Sequence, residues 1–185
     1  MRHALRLGSL AIAASVLIAP VHAQAHPTLD GTWVLNVSEA PRTTIVAESG
    51  DAAFKVGDMG SGWGTTLTLT TRGDRLLLEY HFFVAYDGMA PLRYEFALDG
   101  RETLNEVVIG PGVTRLQSRT AWRGDTLVIV TRQPVPPEVG GAGVMAEVQR
   151  ALVLTAPDAL QITTTRVGVA GAPTNRVTTT YTRKR

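Results

Sequence analysis

The chain predicts an all-β fold, a single antiparallel meander barrel of about 8–10 strands, and three observations predict it. Thr, Val and Leu are abundant in residues 26–185, and these side chains fit a pleated, half-buried surface. Apolar residues recur at a spacing of two, most cleanly where Leu92, Tyr94, Phe96 and Leu98 alternate with Arg93, Glu95 and Ala97. Gly and Asp punctuate these runs at short intervals, and both accept the backbone angles of tight hairpin turns. Consecutive strands joined by short turns make a meander, and a long meander closes on itself because closure removes exposed edges. A two-sheet sandwich is the alternative.

The elements follow in order. Strands are expected near 31–37, 42–47, 64–71, 75–86, 91–98, 103–109, 113–122, 126–132, 148–155, 159–167 and 175–183. The weakest of these is 42–47. Thr71-Arg72-Gly73-Asp74-Arg75-Leu76 is echoed by Trp122-Arg123-Gly124-Asp125-Thr126-Leu127, and more loosely by Thr155-Ala156-Pro157-Asp158-Ala159-Leu160. Each copy sits between two β runs and reads as hairpin chemistry; the Arg-Gly-Asp triplet needs no adhesive role. Ser38 to Trp63 and Gln133 to Glu147 read as long loops, the second through Pro134-Val135-Pro136-Pro137 and Gly140-Gly141-Ala142-Gly143. Long loops on a rigid barrel are where binding often occurs. Val144 to Arg150 reads as one helical turn before the next strand.

The N-terminus has the zones of a secretion signal. Arg2 and Arg6 form a positive start, Leu7 to Ala19 is apolar, and Val21-His22-Ala23 and Ala23-Gln24-Ala25 are small-x-small cleavage sites. The apolar run is shorter than the ~20 residues that span a bilayer. Residues 1–25 are therefore expected to be removed, leaving 26–185 as one barrel domain in an exported, periplasmic or extracellular protein. No membrane span is expected. The full chain has 18 Lys+Arg against 16 Asp+Glu, and the loss of Arg2 and Arg6 leaves 16 against 16. A neutral chain lacks the basic excess of a nucleic-acid binder. Arg183-Lys184-Arg185 is read as a solvated chain end. The absence of cysteine excludes disulfides, thiol nucleophiles and thiolate metal sites, so stability must come from the core.

At Gly31-Thr32-Trp33 the chain resembles the lipocalins and the wider calycin group. In that group a Gly-x-Trp motif opens the first strand, its Trp plugs one end of the barrel, and an Arg from the last strand lies across the indole. The resemblance implies a structural role for Gly31 and Trp33, with Arg183 as the first candidate for the arginine and Arg176 as the second. A guanidinium over an indole face gains ~0.5–2 kcal/mol. The closer resemblance is to small exported bacterial proteins of lipocalin-like type and unassigned function. These open Gly-Thr-Trp-x-Leu-Asn and end in a Tyr-x-Arg strand, matched here by Gly31 to Asn36 and by Tyr181-Thr182-Arg183.

Candidate ligand-contacting residues are the aromatics on strands, Tyr80, Phe82, Tyr94, Phe96, Trp122 and Tyr181. Trp63, between two glycines at the end of the long loop, is a further ligand-contacting candidate; it is exposed or a lid residue, or it packs on its own domain. Ser118, Thr120 and Thr164 share strand faces with apolar residues, which fits a pocket with a few polar contacts or a core whose hydroxyls bond to backbone. His81 and Glu79 are the weak candidates for acid–base chemistry, and alternation puts them on the face opposite Tyr80 and Phe82. No nucleophile elbow, HExxH, Walker A or dinucleotide fingerprint occurs. No cofactor and no metal are expected.

Three functions fit. The first is an exported binding protein that holds a small apolar or amphipathic ligand in the barrel. The second is an envelope-associated structural or interaction protein with a filled core, for which a protein partner is expected. The third is a calycin-barrel isomerase or cyclase that uses acid–base residues in its cavity; a non-enzymatic role is favoured over it.

Overall fold

The computed structural model describes residues 26–36, 62–80, 91–109, 112–135, 144–167 and 174–185. Ten strands run in chain order: β1 (Gly31–Leu35), β2 (Thr66–Arg72), β3 (Arg75–Tyr80), β4 (Leu92–Ala97), β5 (Thr103–Ile109), β6 (Gly112–Arg123), β7 (Thr126–Val135), β8 (Val144–Ala156), β9 (Ala159–Arg166) and β10 (Asn175–Arg183). They form one antiparallel sheet in the order β4-β3-β2-β1-β10-β9-β8-β7-β6-β5. Sequence neighbours pair except β4 and β5, and β1 pairs with β10, which joins the two ends of the chain. The result is a nearly closed meander barrel, consistent with the calycin, lipocalin-like type. The expected strand at 42–47 and the end of the one expected to reach 86 lie outside the described residues.

Alternation decides which face goes inward. Leu67 and Leu69 on β2, Leu76, Leu78 and Tyr80 on β3, and Leu160, Ile162 and Thr164 on β9 are all buried, while their neighbours in sequence are not. Each large apolar side chain so buried contributes roughly 1.5–3 kcal/mol.

The seam between β4 and β5 has no strand ladder among the described pairings. A side chain replaces it. The Asn105 carboxamide accepts from the Glu95 backbone N–H at 2.8 Å and donates to the Glu95 carbonyl at 3.0 Å. A carboxamide carries the same donor and acceptor as a peptide unit, so Asn105 stands in for the missing rung. The Thr120 hydroxyl donates to the Ala97 carbonyl and ties β6 to β4 beside it.

The turns explain the Gly-Asp echo. Arg72 pairs with Arg75, and Arg123 with Thr126, across two-residue loops. Gly73 and Gly124 have φ of 61° and 59°, the first central position that a II′ turn reserves for glycine. The third copy has Pro157 there, whose ring forbids positive φ, and β8–β9 shows a register shift between Leu154 and Ala156.

One expected element is corrected. Val144 to Arg150 is not a helical turn but the first half of β8, paired along β7 from Val135↔Val144 to Ile129↔Arg150. Val144 to Glu147 are laddered to β7 alone, and β9 joins on the other side from Val148, so backbone groups are satisfied without helix. The loop expected from Gln133 to Glu147 accordingly shrinks to 136–143, which lies outside the described residues.

Candidate functional site

The inside of the barrel has two unlike halves. At the end that holds the short turns, Trp33 is completely buried and Arg183 lies 4.2 Å from its ring centroid; the two residues face each other in register across β1 and β10. The Trp33 indole N–H donates to the Leu29 carbonyl at 3.0 Å, and the Arg183 guanidinium donates to the carbonyls of Asp30 and Pro157. Gly31 has φ 139°, and a Cβ there would meet Arg183 Nη1 at 2.5 Å. A glycine is needed so that the arginine can reach the indole. Above this stopper Leu67, Leu78, Leu127, Ile129, Leu152, Leu160, Ile162 and Tyr181 have 0% exposure, so no water-sized void borders them. This half is solid.

Polar side chains enter in the other half. Ser118 and Thr131 bond through their hydroxyls at 3.0 Å, and Thr179 donates to the Ile162 carbonyl at 3.3 Å. The Tyr80 and Tyr94 hydroxyls are 3.2 Å apart, with rings stacked at 5.7 Å. Burial, and then the neighbouring Tyr94, hold the Tyr80 phenol far above its usual range, so it stays a neutral hydroxyl. Two arginines share this half. Val148, Arg150 and Leu152 alternate inward on β8, and Ile162, Thr164 and Arg166 on β9. Trp63 is 2% exposed and lies between Phe96, at 6.4 Å between ring centroids, and the Arg150 guanidinium, 4.5 Å from its ring. Burial, and then the charge of Arg166, push the Arg150 pKa down to about 10. Burial lowers that of Arg166 as well. Both remain cationic at neutral pH.

The residues singled out from sequence are distributed as follows. Tyr80, Tyr94, Phe96 and Tyr181 are buried on the inward face, and Trp63 joins them from the loop. Tyr181 is wholly packed and donates its hydroxyl to the Gly64 carbonyl at 3.0 Å. Trp122 is half-buried and stacks on His26 at 4.3 Å between ring centroids. Phe82 and His81 lie outside the described residues. Glu79 is on the outer face, ion-paired with Arg93 at 2.6 Å. It therefore offers no carboxylate to the interior. The sequence reading missed Arg150 and Arg166. Their signal was available: each occupies an inward slot in a strand that otherwise alternates apolar or hydroxyl residues inward.

Every described carboxylate is on the outer face or in a turn, where pairs such as Arg75–Glu95, Arg115–Glu106 and Arg101–Asp74 span neighbouring elements. Among the described residues no cluster could hold a metal ion. No helix among them is long and apolar enough to cross a membrane. No protein-family model matches the chain, and no curated protein matches it.

Proposed function

We propose that the protein is an exported binding protein that holds a small amphipathic ligand in the half of the barrel away from Trp33. One observation carries this reading. The interior is not uniformly apolar: a solid hydrocarbon floor gives way to a zone lined by Tyr80, Tyr94, Arg150 and Arg166. A barrel that needed only stability would continue the leucine and valine pattern to its rim, because unpaired polar burial costs free energy. Binding sites combine apolar walls with a few convergent polar groups, which is the composition of this zone. Native mass spectrometry of the protein isolated from its own host tests the reading. The expected result is a mass increment that solvent denaturation releases; a bare chain mass in every charge state refutes it.

The second reading, an envelope-associated interaction protein, draws on two facts. The floor is filled, and the exposed apolar residues Val108, Val113, Met145 and Val167 stand near the strand ends opposite Trp33. Such residues on the outside suit a protein contact. Replacement of 136–143 by a two-residue Asn-Gly turn, which spares the β7–β8 pairing, abolishes partner capture under this reading and leaves ligand retention unchanged under the first.

A further inference from the structure

The described interior holds two cations and no anion. Arg150 pairs with Thr164 across β8 and β9, and Val148 pairs with Arg166, so the two arginines are diagonal neighbours on the inward face. Their guanidinium groups converge. A Cβ added to Gly62 would lie 3.1 Å from Arg166 Nη2 and 3.3 Å from Arg150 Nη2. Gly62 has φ 84° and no side chain, and both features leave that spot to the arginines. Like charges so placed repel, and burial takes part of the water from each. Moreover, Arg166 Nη1 is buried with no hydrogen-bond partner. A buried charged donor left unsatisfied is among the costlier features a core can carry. Thr163, Thr164 and Thr165 precede it on β9, so a threonine or valine would extend the strand at no such cost.

The neighbouring phenols add a donor. Tyr80 and Tyr94 share one hydroxyl proton between their oxygens, which leaves the second O–H to donate elsewhere. The charge of Arg150 reaches both rings.

We propose that Arg150 and Arg166, with the unspent hydroxyl of the Tyr80–Tyr94 pair, form a site for the oxyanion head group of an amphipathic molecule. The chemistry is that of a carboxylate or a phosphate monoester, which the planar guanidinium fork matches in shape and charge. The molecule enters head first. Below Arg150, Ile129, Leu152 and Ile162 are inaccessible to water, so no chain can pass the arginines toward Trp33. The apolar body points to the opposite end of the barrel. This inference rests on the binding reading and names the class of ligand for the same site.

Three probes of equal chain length test it on the full chain: dodecanoate, dodecyl phosphate and dodecanol. Tryptophan fluorescence reports binding, because Trp63 lies against Arg150. At least one of the two anions is expected to bind roughly tenfold or more tighter than dodecanol, and their relative affinities identify the head group. Arg166→Leu should weaken that anion by a similar factor and leave dodecanol unchanged. The same variant should melt at a higher temperature, since it no longer buries an unpartnered charge; a purely structural arginine would lower the midpoint. Arg166→Lys keeps the charge but loses the fork, and falls between. Equal binding of dodecanol and the anions, or undiminished anion binding by Arg166→Leu, overturns the oxyanion site and leaves the binding protein standing. Failure of all three probes also overturns the site. A bare mass in the native spectrum would, in addition, remove the binding reading.

Discussion

Arg183 shows how much one side chain holds at the stoppered end. It covers the Trp33 ring and bonds to the carbonyls of Pro157 and Asp30, so it joins β1, β10 and the β8–β9 turn. Arg183→Ala removes the stacking and leaves those carbonyls to water; a loss of about 1–3 kcal/mol in urea unfolding is expected. Tyr80 makes a prediction in pH. Its phenol is raised above the ordinary 10.0 by burial first and Tyr94 second. Below pH 10 both folded and unfolded chains keep the proton, and its contribution is intact. Above pH 10 the unfolded chain releases a proton that the folded chain retains, so stability falls as pH rises. Arg150 acts in the opposite sense from about 10 up to its ordinary range, because there the folded chain binds fewer protons. Comparison with Tyr80→Phe isolates the tyrosine: the variant should lack an alkaline slope of up to about 1.4 kcal/mol per pH unit, measured by denaturant titration.

Elements here were legible wherever alternation was strong. Leu92, Tyr94 and Phe96 announce β4, and the Gly-Asp pairs announce the turns of the β2–β3 and β6–β7 hairpins. Val144 to Arg150 was misread because its short apolar spacing, Val144, Ala146, Val148, follows a Gly-rich stretch that resembles a helix start as much as a strand start. Pairing with β7 along the whole segment, and with β9 from Val148 on, decides for strand. The β4–β5 seam was not legible at all. Nothing local marks Asn105 as a surrogate peptide; its role exists only because Glu95 on another strand lies opposite. Asn105→Ala would leave the Glu95 N–H and carbonyl unsatisfied. The expected cost is about 1–3 kcal/mol, with loss of hydrogen-exchange protection at the Glu95 amide while β8 and β9 amides stay protected. Uniform loss of protection throughout the barrel would instead mean that the seam is not a separate weak point.

Among the described residues, carboxylates and their arginine partners lie on the outer face, and Arg150 and Arg166 are the charges turned inward. The described ion pairs are exposed, with side chains such as Arg115 at 73% and Glu106 at 54% exposure. Exposed pairs contribute about 0–1 kcal/mol each and are screened by salt. Thermal midpoints should therefore change little between low and molar salt; a collapse in high salt would show that these pairs, and not the core, hold the barrel closed. The sequence by itself determined the alternating strands, the turns, the all-β class and the Trp33 stopper motif, because each depends on residues close in the chain. Only the tertiary structure decided which arginine covers Trp33, how Asn105 closes the seam, and that Arg150 and Arg166 meet beside Gly62 and Tyr80. Those facts depend on the register between strands far apart in sequence, and a one-residue slip would turn every one of these side chains to the other face.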